Sequence, residues 1–131
     1  MRIAIFTNNY LPNPYGVSVS IESFRKHLEI MGHEVFVFAP KWKDYQDNNP
    51  RIFRFPSVVT NFRFHFPLPW PRSSLIEKIF SQLRINVIHA QHPNLLGATA
   101  LRLAKKHQLP IVFTWHTLYD QHTNFVHKDL Q

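Results

Sequence analysis

The chain of 131 residues contains no cysteine, which excludes disulfide bonds and zinc sites built on thiolates. Only three glycines are present, and neither a G-x-G-x-x-G nor a Walker A sequence occurs. Ordinary dinucleotide and P-loop nucleotide binding are therefore unsupported. No apolar run is long enough to span a bilayer, and the apolar start lacks the length and the cleavage site of a signal peptide. These absences favour a globular cytoplasmic domain.

Acidic residues are also scarce, since eight Asp and Glu oppose fifteen Lys and Arg and leave a formal charge of +7. A basic surface attracts phosphate groups, whether they belong to nucleic acid, anionic lipid or a nucleotide. The basic residues are spread along the chain and no recognised nucleic-acid motif occurs, so we expect no nucleic-acid partner. Two interpretations of the whole chain stay open beside the one developed below. The chain can be a basic module that binds nucleic acid or a nucleotide, or it can be an inactive gene remnant.

Apolar residues follow first a strand pattern and then a helix pattern. Residues 3–6 form a short apolar run that is typical of a strand buried on both faces. A helix ended by Gly32 and a second strand over 34–39 follow, which is the order of a parallel crossover unit. The apolar stripe expected on this helix consists of Val17, Ile21, Phe24, Leu28 and Met31.

The rest of the chain repeats this alternation. Strands are expected over 51–55, 86–90 and 110–114, and the proline-containing segment 56–72 is expected to be irregular. Ser73 or Ser74 caps a helix to about residue 83, and a last helix opens at Pro93 and runs to about 107. The capped helix is expected to bury Leu75, Ile76, Ile79, Phe80 and Leu83. The order β-α-β-β-α-β-α-β predicts an α/β fold with an open, doubly wound, Rossmann-like parallel sheet.

Ligands of such sheets bind beyond the carboxyl ends of the strands, which points to the loops 7–16, 90–93 and 114–120. Gly16 precedes the first helix, where glycine lets backbone N–H groups approach a phosphate; a tight turn is the structural alternative. His116 follows the fifth strand and can donate to a ligand hydroxyl or stabilise developing negative charge. A histidine bonded to a neighbouring backbone group is its alternative.

His89 and His92 are three residues apart at the end of the fourth strand. No carboxylate is close to them in sequence, so we expect no metal site, although His92 can line a ligand pocket.

Segment 62–72 alternates large apolar residues with polar residues or prolines. An edge strand that covers the core is the favoured interpretation of Phe62 and Phe64. A lip that contacts an anionic membrane surface is the alternative for the segment and the following helix. Its expected contacts are Phe66 and Trp70 with the apolar layer, and Arg63, Arg72 and Lys78 with headgroups.

Several motifs, taken in order, resemble one known family. They are FTNNYLP at 6–12, GVSVSI at 16–21, GHEV at 32–35, VIHAQHP at 87–93, LG at 96–97 and TWHTLY at 114–119. The chain resembles the N-terminal domain of retaining GT-B glycosyltransferases of family four. The resemblance is strongest to the branch of diacylglycerol glucosyltransferases and lipid mannosyltransferases.

The resemblance implies an enzyme that transfers a sugar, with retention and without a metal or other cofactor, from a UDP- or GDP-sugar to a lipid or glycolipid. Gly16 and Val17 would contact the donor diphosphate, and His116 the donor sugar near the reacting centre. The acceptor would lie beside Asn8, Asn9, Tyr10 and His92. Many relatives have two glycines before the first helix, whereas Tyr15 occupies the first of these positions here.

The family's C-terminal domain, which holds most of the nucleotide, has no counterpart in these residues. We therefore expect residues 1–131 to be an incomplete N-terminal, acceptor-side domain that is inactive alone, because transfer needs both reactants held in register. The expected location is the cytoplasm, with peripheral contact to the inner face of the plasma membrane.

Overall fold

A computed structural model of the chain describes residues 1–14, 16–59 and 67–116. Its elements follow the predicted order β-α-β-β-α-β-α-β, with two further short strands after the third strand. In chain order they are β1 (Arg2–Phe6), α1 (Val17–Ile30), β2 (Glu34–Pro40), β3 (Ile52–Phe55), β4 (Ser57–Val59), β5 (Pro67–Pro69), α2 (Ser74–Gln82), β6 (Val87–Ala90), α3 (Leu96–His107) and β7 (Ile111–Phe113).

The main sheet has five parallel strands in the order β3-β2-β1-β6-β7. β1 lies at its centre, where Ile5 pairs with Val37 on one side and with His89 on the other. β1 can occupy this place because its residues are apolar on both faces, and the side chains of Ala4, Ile5 and Phe6 are fully buried. The predicted α/β fold with a doubly wound parallel sheet is confirmed.

Two separate cores form because alternate residues of each strand point to opposite faces of the sheet. On one face Ile5 and Val37 pack with Ile21 of α1. On the other face Phe6 stacks on Phe38, with 4.6 Å between ring centroids. The residues of α2 and α3 that join this second core are Ile76, Phe80, Leu96, Ala100, Leu103 and Ala104.

Two predicted helix ends are confirmed. Ser73 caps α2, and its side chain accepts a hydrogen bond of 3.3 Å from the backbone N–H of Ile76. Gly32 follows α1 with a φ of 93°, which glycine adopts without the steric cost that other residues incur.

The buried face of α1 differs from the predicted stripe. Phe24 and Met31 are 43% and 70% exposed, whereas Ser18 and Ile21 are fully buried. The helix is rotated so that Glu22, whose carboxylate pairs with Arg25, faces the buried end of the loop after β1. The expected burial of Leu75 in α2 is also wrong, since that side chain is 68% exposed.

Segment 56–72 was expected to be irregular, but β4 and β5 form a separate antiparallel ribbon with Val58 opposite Leu68. Pro67 and Pro69 face inward and are buried, which is possible because a two-stranded ribbon leaves edge positions without ladder hydrogen bonds. The expectations for Phe62, Arg63, Phe64 and Phe66 lie outside the described residues.

The predicted start of α3 is also corrected. The helix begins at Leu96 rather than at Pro93, because Asn8 Oδ1 accepts the hydrogen bond of the Leu96 backbone N–H and sets the first turn there. Over the described residues, no helix combines the length and the apolar character needed to cross a bilayer.

Candidate functional site

The candidate site lies at one edge of the main sheet, where the loops after β1, β6 and β7 emerge together. The chain continues from β1 to β2 on one side, while β6 pairs with β1 on the other side. This reversal of strand order opens a crevice beyond the carboxyl ends of β1 and β6. The predicted catalytic, donor and acceptor residues lie in these three loops, except for Val17, which begins α1.

Asn8 joins the loop after β1 to the loop after β6. Its backbone N–H donates to Nδ1 of His92 over 3.0 Å, and its amide nitrogen donates over 3.0 Å to both the backbone oxygen and Oδ1 of Asn94. Its side-chain oxygen accepts from the backbone N–H of Leu96 over 2.9 Å. Asn8 therefore shapes the crevice by holding its two walls together.

His92 is neutral in this arrangement. Its Nδ1 accepts a hydrogen bond from a backbone N–H, which only an unprotonated nitrogen can do. Burial, followed by the nearby ring of His116, lowers the pKa of His92 to about 4. The remaining ring nitrogen, Nε2, consequently carries the proton and can act as a donor.

His116 lies next to His92, with 6.0 Å between the ring centroids. Its Nε2 is 2.5 Å from Oε1 of Gln91, and burial lowers its pKa. Gln91 is 1% exposed and was not considered from the sequence. Gln91 lies between two histidines directly after a strand, and this position was the signal in the sequence that could have identified it as a site residue.

His89 faces the opposite side of the sheet from the second core. Its Nε2 lies 2.6 Å from Oγ1 of Thr114, and its ring meets Phe24 edge to face at 5.6 Å. Burial and then His116 lower its pKa. The part of the chain that the structure describes holds no group of three or more His, Asp or Glu arranged for a metal ion.

Gly16 immediately precedes α1 with φ 54° and ψ −112°. Nothing lies within 4 Å of the place where a Cβ would stand, so its positive φ, rather than lack of space, favours glycine. Val17 is the first residue of α1. Leu95 has nearly the same angles, φ 52° and ψ −110°, directly before α3, which the sequence did not indicate.

Tyr10 was expected beside an acceptor, but the structure buries it completely. Its hydroxyl donates to Oε1 of Glu22, and the guanidinium of Arg54 lies 5.4 Å from the centre of its ring. Burial, then the contact with Glu22, raises the pKa of Tyr10. Tyr10 has no exposed surface for an acceptor, and it anchors the loop to α1 because an aromatic ring fills the core there.

Asn9 remains near the crevice. Its backbone N–H donates over 3.2 Å to Oγ1 of Thr7, whose hydroxyl donates over 2.6 Å to the backbone oxygen of Asn9. Its Oδ1 is buried and has no hydrogen-bond partner within the described segments.

Of the residues expected at a membrane, those that the structure describes lie in the turn between β5 and α2 and on α2 itself. Trp70 is 68% exposed, and Arg72 and Lys78 are also exposed. Leu68 and Leu75 add exposed apolar surface to the same segment. We call these five residues the β5–α2 surface.

Residues 14–131 match the sequence profile described as Glycosyltransferase Family 4. The chain belongs to this family. It is 34% identical over 98% of its length to an "Alpha-monoglucosyldiacylglycerol synthase" of Acholeplasma laidlawii, covering 33% of that protein. A protein of the same name from Streptococcus pneumoniae is 32% identical over 99% of the chain, which covers 30% of it.

A "GDP-mannose-dependent alpha-mannosyltransferase" of Corynebacterium glutamicum is 28% identical over 89% of this family 4 chain, which covers 29% of that protein. The chain thus spans about a third of the length of these relatives. The predicted resemblance to family four, including its lipid glycosyltransferase branch, is confirmed by these matches.

Proposed function

We propose that this family 4 domain is the acceptor-side part of a hexosyltransferase that moves a sugar from a UDP- or GDP-sugar to a lipid or glycolipid, with retention and without a metal. The observation that carries the proposal is the meeting of His92, His116 and Gln91 with Asn8 at the switch point of a family 4 sheet. The names of the relatives support a sugar donor and a lipid acceptor.

In this proposal Gly16 and Val17 contact the donor diphosphate, because the first N–H groups of a helix lack intrahelical partners and favour anions. His116 contacts the donor sugar near the reacting centre. His92 and Asn9 contact the acceptor, and His92 does so through its Nε2–H. Asn8 keeps the two loops in register rather than contacting the acceptor itself.

The rest of the nucleotide site lies, in this proposal, in a second domain outside these residues. The chain of 131 residues then binds donor weakly and has no measurable transferase activity, because both reactants must be held in register. We further propose a cytoplasmic location at the inner face of the plasma membrane.

The β5–α2 surface is the proposed membrane contact. Two side chains carry most of its exposed apolar area, since Trp70 and Leu75 are each 68% exposed. Arg72 and Lys78 lie close to them in sequence and supply positive charge. Exposed tryptophan beside basic residues is the composition that favours an anionic interface.

Transfer is tested with the full-length protein, radiolabelled UDP-glucose or GDP-mannose, and dioleoylglycerol or its monoglucosyl derivative in mixed micelles. We expect transfer from one donor and a loss of about 100-fold in kcat for His116→Ala. His27→Ala, a change on the exposed side of α1, serves as the matched control. Absence of transfer from both donors, or full activity of His116→Ala, would contradict the proposal.

Membrane contact is tested by sedimentation of the chain with vesicles of phosphatidylglycerol and phosphatidylcholine. Binding should weaken as salt rises, since screening reduces charge attraction at a surface. The pair Trp70→Ala and Leu75→Ala should reduce binding more than Ile30→Ala, which removes an apolar side chain that is 83% exposed on α1. Equal binding of all variants would exclude the β5–α2 surface as the site of membrane contact.

A further inference from the structure

Gln91 holds a fixed place at the crevice. It follows β6 directly, and its backbone N–H donates over 2.9 Å to the backbone oxygen of Phe6, so the pairing of β6 with β1 continues through it. The residue is 1% exposed. A buried side chain on an anchored backbone has little freedom to reorient.

The contact between Gln91 and His116 defines which ring nitrogen carries a proton. Oε1 of Gln91 lies 2.5 Å from Nε2 of His116. An amide oxygen has lone pairs and no hydrogen, so the nitrogen that faces it must be the donor. The proton of His116 is therefore on Nε2.

The charge of His116 decides what its other nitrogen can do. Burial lowers the pKa of His116, and no carboxylate within the described residues contributes to that shift. The titratable groups near the ring are His92 and His89, and the pKa of each is lowered by burial and then by His116. A neutral imidazole has one N–H, so Nδ1 of His116 presents a lone pair.

Resting on the function proposed above, we infer that Gln91 is a positioning residue that fixes His116 as the Nε2–H tautomer, so that Nδ1 accepts a hydrogen bond from a hydroxyl of the bound sugar. The sequence suggested His116 as a donor to such a hydroxyl. In this tautomer its single N–H is committed to Gln91 instead.

A second observation points to a role other than stability. Nε2 of Gln91 is buried and has no hydrogen-bond partner among the residues that the structure describes. An unpaired buried amide N–H is destabilising, because it has lost its bonds to water and gained none in return. An apolar side chain of similar length would avoid an unpaired buried N–H, so packing alone does not explain an amide at this position.

The experiment measures the ring nitrogens of His116 by 15N NMR on the chain of 131 residues at pH 8. We expect the unchanged chain to show a protonated Nε2 and an unprotonated Nδ1. Gln91→Met should shift His116 towards the mixture of tautomers of a free imidazole, with stability equal or higher. Gln91→Glu should raise the pKa of His116 by about 1, because a carboxylate then faces the ring.

Gln82→Met, on the exposed side of α2, is the matched control and should leave His116 unchanged. A protonated Nδ1 in the unchanged chain would overturn the inference. So would Gln91→Met and Gln91→Glu spectra that match the unchanged chain. These readouts do not depend on turnover. Failure of the full-length protein to transfer sugar would therefore refute the proposed function without changing the tautomer measured for His116.

Discussion

Gly97→Ala offers a test in which helix propensity predicts a gain in stability and packing predicts a loss. Gly97 lies in the first turn of α3, and a Cβ on it would stand 1.6 Å from the backbone oxygen and 2.6 Å from the backbone carbon of His92. At an unobstructed helix position, Gly→Ala stabilises by about 1 kcal/mol. Here a backbone group, which cannot swing away like a side-chain end, must move by about 2 Å to reach ordinary van der Waals contact.

Overpacking of this kind costs about 1–3 kcal/mol or more. We therefore expect Gly97→Ala to lower the free energy of unfolding by about 2 kcal/mol after the gain in propensity. Displacement of His92 would also weaken its hydrogen bond from Asn8 and raise its pKa towards the ordinary value. Urea unfolding followed by circular dichroism measures the first effect, and histidine NMR titration the second.

Ala98→Gly, at the next and exposed position of α3, calibrates the propensity term and should cost about 1 kcal/mol. A Gly97→Ala variant as stable as the unchanged chain, or more stable, would refute the close approach of α3 to the loop after β6.

Three other predictions concern stability, all measured by urea unfolding. The pKa of His92 is about 4 in the folded chain and 6.5 ordinarily, so the unfolded chain takes up the proton first as the pH falls. The free energy of unfolding should therefore decrease by about 3 kcal/mol between pH 6.5 and pH 4, and His92→Gln should reduce this pH dependence. Arg54→Met should lower the free energy of unfolding by about 3 kcal/mol because it leaves Asp47, which is 10% exposed, without its cationic partner. Adding Asp47→Asn should recover part of this loss. Ser73→Ala should cost about 1 kcal/mol and Ser73→Asp almost nothing, since aspartate also accepts at a helix cap. A pH-independent stability, no recovery in the double variant, or equal effects at Ser73 would contradict the respective arguments.

Most of the fold was predictable because strand and helix periods are strong in this sequence. The central strand, with Ile5 and Phe6 buried on opposite faces, and the Gly32 helix end follow from local chemistry alone. The rotation of α1 was not predictable, because it depends on Glu22 meeting the hydroxyl of Tyr10, which the chain brings together only after folding. Apolar spacing could not distinguish Phe24 from the residues that are buried.

The site was predictable to a similar degree. Strand ends predicted that His92 and His116 lie at the same end of the sheet, and the structure gives 6.0 Å between their rings. The burial of Tyr10 and the clamp formed by Asn8 were missed, because polar residues after a strand can face either the ligand or the core. Gln91 was missed because its importance lies in one contact with a residue 25 positions away.

The central place of β1 has a consequence for how the chain acquires its structure. β1 precedes the other strands of the main sheet in the chain, and its partner on one side, β6, ends at Ala90. Until that residue has left the ribosome, one edge of β1 carries unpaired N–H and C=O groups. Pairing of Ile3 with Val87 must also close a loop of more than eighty residues, which slows folding relative to local contacts. β1, the strand at the centre of the finished sheet, is therefore also the strand that waits a long time for its second partner during synthesis.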